Sequence, residues 1–185
     1  MNVFRYDTPV ERVKESKYSV FLAGPTVRGH QQHLQPSWRF EAIEHFEKAG
    51  FGGDLIVPEF PDKAESDKGK EWIPLWEYEG LKHAKRILFW VPRTRELIGL
   101  TTNWELGFWM GQNISKISYG RPDGAYRTDY LDIMYRKIGQ EMDDYEGIYL
   151  PPIFTSLKSQ CEFEANTMKE VESCDPLKGS LWGFV

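Results

Sequence analysis

Cysteine is scarce in this chain: Cys161 and Cys174 are the two among 185 residues. That is too few for a disulfide framework, and their spacing matches no metal-ligand pattern, so both read as reduced thiols of a cytoplasmic protein. Long apolar runs are missing as well. With a mean hydropathy of -0.53 and no stretch of ~18 apolar residues, a membrane-spanning helix is excluded. The opening Met1-Asn2-Val3-Phe4-Arg5-Tyr6-Asp7 lacks the apolar segment of a secretory signal. Positive charge is not in excess, since 23 Lys plus Arg face 28 Asp plus Glu for a formal net charge of -5. No basic stripe is visible, and duplex nucleic acid is not an expected partner. The phosphate-cradling patterns GxGxxG and GxxxxGK[ST] are absent, as is GxSxG, which argues against a dinucleotide dehydrogenase, a P-loop NTPase and a serine hydrolase of the α/β type. His30 and His33 fall in a polar segment without a companion carboxylate motif, so neither a metal nor a cofactor is expected.

What the chain does have is aromatic: 15% of residues, seven of them Trp. Such rings serve a large core, a subunit interface or a stacking surface for flat ligands. The length fits a single domain of ~100–200 residues. Residues 1–17 read as a charged surface arm with loose structure, and 133–185 as a C-terminal helical extension. Between them, short apolar runs alternate with amphipathic segments. Ser19-Val20-Phe21-Leu22-Ala23 closes on Gly24-Pro25, the pattern of a buried parallel strand ending in a loop. Ser37 caps a helix through Phe40, Ile43, His45 and Phe46 that stops at Gly50. Asp54 to Pro58 is a second strand, 61–70 a surface loop, and 74–85 a helix with Leu75, Tyr78, Leu81 and His83 or Ala84 on its buried side. Arg86 to Pro92 is the strongest strand signal. A helix over 102–112, a strand over 114–120 and helices over 130–145 and 156–173 complete the pattern. Strands alternating with helices, without hairpin signals, predict a three-layer α/β sandwich. Ligands of such sheets bind beyond the C-terminal ends of the strands. That places Gly24-Pro25-Thr26, Pro58-Glu59 and Pro92-Arg93 on one rim.

The chemistry available there is carboxylate chemistry. In Thr101-Thr102-Asn103-Trp104-Glu105-Leu106-Gly107, Thr102 and Glu105 fit the S/T-x-x-E capping box, in which the Glu only satisfies a backbone N–H. On the pattern alone, capping is the commoner role. A carboxylate at that rim would also serve as a nucleophile. Glu77 and Glu79 are neighbouring helix-face acids, and the residues themselves do not choose between them. Arg28 reads equally as a surface side chain or as a cation facing an anionic substrate group.

Phe21-Leu22-Ala23-Gly24-Pro25, Trp76-Glu77 with Leu81 and Ala84, Ile87 to Pro92, and Gly99 to Gly107 together resemble the nucleoside 2-deoxyribosyltransferase superfamily. The likeness extends to its deoxyribosyltransferase-like branch through Thr-Thr-Asn-x-Glu-x-Gly and Tyr119-Gly120-Arg121-Pro122-Asp123, over about residues 18–132. The resemblance implies a flavodoxin-like fold with a mostly parallel five-stranded sheet. It also implies cleavage of the N-glycosidic bond of a (deoxy)nucleoside or nucleotide. Glu105 matches the nucleophile, and Glu77 the acid that handles the base, usually Asp. Gly24 and Pro25 line the sugar site. Trp76, Thr102 and Asn103 fall within the shared blocks and are expected at the substrate. A second family Asp, six residues before the nucleophile, is here Gly99.

Breaking such a bond builds oxocarbenium character, which a carboxylate stabilises and traps as a glycosyl-enzyme. The sugar then passes to another base or to water. Arg28 is a candidate contact for a 5′-phosphate. Trp38, Trp76 and Trp104 are candidates for base stacking, against core packing. Arg121, Asp123 and Tyr130 fall where the family completes a neighbouring subunit's site, so the resemblance also implies a homo-oligomer. The alternatives are a non-catalytic nucleotide-binding module of the same fold and an NAD-type glycohydrolase.

Overall fold

The computed structural model describes residues 1–27, 36–60, 71–147 and 149–173. Five strands form one sheet in the order β1-β3-β2-β4-β5: β1 Asn2–Phe4, β2 Ser19–Ala23, β3 Asp54–Ile56, β4 Arg86–Trp90 and β5 Ile117–Gly120. Every pairing is parallel. Helices cover both faces, which is why β2 and β4 are buried at every position and read as unbroken apolar runs. Phe21, Ala23, Ile87, Phe89 and Val91 pack into one core with α1 (Val10–Glu15), α3 (Trp72–His83), α4 (Leu100–Asn113) and α5 (Asp129–Glu146). Val20, Leu22, Leu88 and Trp90 pack into the other with α2 (Trp38–Lys48) and α6 (Leu157–Ser173). The alternation follows from the period of two along a strand.

The chain leaves β2 to one side, to β3, and returns to the other, to β4. The strand order therefore reverses between the C-terminal ends of β2 and β4, the place where open α/β sheets bind ligands.

Three expectations need correction. Residues 1–17 are not a loose arm: they contribute edge strand β1 and helix α1, and Tyr6 and Val13 are buried. Pairing with β3 satisfies backbone groups that a free arm would leave to water. The buried side of α3 is Trp76, Gly80 and Leu81, whereas Leu75 and Tyr78 are exposed. On α2 the buried set is Trp38, Arg39, Ala42 and Phe46, with Phe40 outside. The surface loop expected over 61–70 lies outside the described residues.

Residues 151–154 run to a single parallel bridge between Gly120 and Phe154. Helix α6 then docks through polar side chains. Arg86 in β4 donates from Nε to Glu164 Oε2 at 2.8 Å and from a terminal nitrogen to Oε1 at 3.0 Å. Gln160 donates to the Phe89 carbonyl at 3.2 Å and to Ser118 Oγ at 2.9 Å.

Candidate active site

The rim begins with the turn after β2. Gly24 has φ +154, and a Cβ there would stand 2.1 Å from the Trp90 carbonyl oxygen, so only glycine lets β2 pass this close to β4. Arg39, on the buried face of α2, locks the turn from below. It donates from Nε to Leu22 O at 2.9 Å, and from its terminal nitrogens to Gly24 O at 2.8 Å, Thr26 Oγ1 at 3.2 Å and Glu59 Oε1 at 2.8 Å. Glu59 also accepts from Ser37 Oγ at 2.6 Å, and the Ser37 hydroxyl in turn accepts from Arg39 N as the α2 cap. Trp38 donates its indole N–H to Pro25 O at 3.0 Å. A charged guanidinium with 1% exposure is tolerable here because its donors face a carboxylate and oriented carbonyls.

Across the switch point, α4 starts at Leu100 behind Gly99, whose φ +60 makes a left-handed entry with no side-chain cap. Thr102 and Glu105 are thus inside the helix, and the capping-box reading is corrected: the helix starts too early for Glu105 to reach back to its first N–H. A Cβ on Gly99 would meet Pro25 Cγ at 2.6 Å, which shows how closely the entry to α4 packs on the β2 turn. Among the described residues the Glu105 carboxylate makes no hydrogen bond or ion pair. Burial, reinforced by the negative charge of Glu77 and opposed by Arg39, pushes it up to about 8. Two carboxylates and a buried cation therefore share one electrostatic neighbourhood.

Glu77, on α3, accepts the hydroxyl hydrogen of Tyr6 at Oε1. The Tyr6 ring packs against Phe60, Trp72 and Trp76 at centroid distances of 4.9, 6.1 and 5.2 Å. Its phenol is raised by burial and then by Glu77. Glu79, the neighbour that the residues alone left open, pairs instead with Lys14 at 3.3 Å and His83 at 3.3 Å.

The other expected residues are dispersed. Trp76 is buried, and its indole N–H donates to Thr8 O at 3.0 Å. Thr102 is buried, while Asn103 is exposed and accepts from Arg93 at 2.5 Å. Of the stacking candidates, Trp38 and Trp76 are core residues, whereas Trp104 is 61% exposed and stacks on Phe108 at 5.0 Å. Arg121 is held by Asp132, with donor distances of 2.6 and 3.1 Å to Oδ2. Asp123 lies 3.7 Å from Arg121 with its side chain 89% exposed, and Tyr130 is exposed. Arg28, His30 and His33 lie outside the described residues. Among the described residues no group of three or more His, Cys, Asp or Glu could hold a metal ion. No helix there is long and apolar enough to cross a membrane.

Tyr6, Arg39 and Glu59 were not anticipated in these roles. For Arg39 a signal exists: it occupies a core position of an amphipathic helix, directly after Trp38. For Tyr6 the signal is weak, one aromatic in a charged segment.

Among curated proteins none matches the chain. A solved structure, of a conserved protein from Enterococcus faecalis V583, superimposes with a TM-score of 0.46 and 12% identity, over 80% of this chain and 97% of that one. The family described as nucleoside 2-deoxyribosyltransferase like matches residues 17–121, a stretch that contains β2 to β5, Glu77 and Glu105, and the chain belongs to that family.

Proposed function

We propose that this protein cleaves the N-glycosidic bond of a (deoxy)nucleoside or nucleotide, with Glu105 as nucleophile and Glu77 as the acid for the departing base. The observation that carries the reading is a half-buried Glu105 carboxylate that among the described residues has no hydrogen bond or ion pair, on the helix whose entry packs against the turn after β2; the charges of Glu77 and Arg39 act on it. An oxygen of ionised Glu105 bonds to the anomeric carbon as the C–N bond breaks. The electron pair of that bond goes to the base nitrogen, which takes a proton from Glu77. A second base or water then attacks the same carbon, its proton returns to Glu77, and the Glu105 carboxylate is released. This reading requires the pair to carry one proton, held by Glu77 when Glu105 is ionised. The positive charge that develops on the sugar is met by the ionised carboxylate, while Arg39 beneath the rim favours the ionised form of Glu105.

Incubation with a panel of 2′-deoxynucleosides, their 5′-monophosphates and NAD tests this by release of free base. Release that disappears in a folded Glu105→Ala protein supports the reading, and release that persists in the variant contradicts it. The non-catalytic module is favoured by one feature, Gly99, where an acidic side chain would collide with Pro25. Thermal stabilisation by nucleotides without any base release is its signature.

A further inference from the structure

We propose that Tyr6 is a positioning residue for Glu77: a side chain of the N-terminal segment, outside the stretch shared with the family, that orients the proton donor of the reaction proposed above, a reading on which this inference rests. The backbone is fixed on both sides of it. Phe4 O accepts from Val57 N at 2.8 Å, Tyr6 N donates to Glu59 O at 3.3 Å, and Thr8 O takes the Trp76 indole N–H at 3.0 Å. Between these anchors, Arg5 and Thr8 close a turn through Thr8 N to Arg5 O at 2.8 Å and Arg5 N to Thr8 Oγ1 at 3.1 Å. Rings on three sides hold the phenol, and its hydroxyl ends on Glu77.

A buried tyrosine needs an acceptor, and a carbonyl would serve a purely structural ring. Here the acceptor is the carboxylate whose charge acts on Glu105, and the phenol itself stands within electrostatic reach of Arg39 and Glu59. The groups bearing on the carboxylate pair thus come from the segment after β1 (Tyr6), α2 (Arg39), the loop after β3 (Glu59), α3 (Glu77) and α4 (Glu105). The hydroxyl pins one Glu77 oxygen, so that the carboxyl plane is set before substrate arrives. Donation to the charged form also lowers the proton affinity of Glu77. An acid held this way yields its proton more readily to a leaving base.

Tyr6→Phe keeps the ring and deletes the donor. In protein labelled with carbon-13 at the glutamate carboxyl, the Glu77 resonance is identified by its loss in Glu77→Gln. Its midpoint is expected to move up by on the order of one pH unit in Tyr6→Phe. An unchanged midpoint overturns the assignment, and this reading needs no turnover. In the base-release assay on 2′-deoxyadenosine and its companions, kcat is expected to fall ~10-fold or more while KM stays within about twofold. The defect should shrink on nicotinamide 2′-deoxyriboside, whose base departs neutral without a proton. An equal loss on both substrate types contradicts a role through the acid. Absence of release from the unsubstituted protein on every substrate refutes the reaction instead, and the carboxyl titration then decides the Tyr6–Glu77 coupling separately.

Discussion

Glu105 carries an electrostatic cost that is visible without substrate. Its folded value near 8 lies above the value of an exposed glutamate, so between about 4.5 and 8 the folded state binds more protons than the unfolded one. Stability must then fall as pH rises through that window. Glu105→Gln removes the term, and thermal melts are expected to show the variant gaining on the parent from pH 5 to pH 8 or above. A variant that is equally or less stable at alkaline pH contradicts the burial. The same shift bears on the proposed reaction: kcat/KM of the parent is expected to fall as pH rises past about 8, where the pair loses its last proton and Glu77 has none to give the base. Arg39 works in the opposite direction on Glu105 and holds four acceptors beneath the rim. Arg39→Met leaves Glu59 without its cation and is expected to cost ~3–5 kcal/mol, read by urea unfolding.

At the scale of elements, the candidate site lies between two entries, the turn after β2 and the start of α4, that pack together where Gly99 meets Pro25. Gly24→Ala would force a methyl group onto the Trp90 carbonyl oxygen and Trp38 Cζ2. That backbone cannot yield without parting β2 from β4, so a loss of ~1–3 kcal/mol or more is expected, measured by denaturant midpoint. The strands themselves were legible because β2 and β4 are buried on both faces, which leaves a local signature in the chain. So was their rim, which follows from parallel order. The start of α4 was less legible: Thr102 and Glu105 carry the capping pattern, yet a left-handed Gly99 opens the helix two residues before Thr102. The buried sides of α2 and α3 are not legible in the chain because the helices are apolar beyond one stripe, and only packing selects Trp76 over Leu75.

For the whole molecule, what the chain concealed are contacts between distant segments. Tyr6 and Glu77 are separated by 71 positions, Arg86 and Glu164 by 78, and neither pair has a local pattern to announce it. The Arg86–Glu164 pair joins α6 to a central strand, with Glu164 fully buried. Glu164→Gln is expected to cost ~3–5 kcal/mol and to raise amide exchange along 157–173 before the sheet opens. The central claim concerns Glu105 alone, and the most direct measurement is peptide mass analysis after acid quenching of turnover on a 2′-deoxynucleoside. The account predicts a deoxyribosyl mass on the peptide that bears Glu105, absent from Glu105→Gln. Base release with that peptide unmodified, and the pentose found on another side chain, would contradict it.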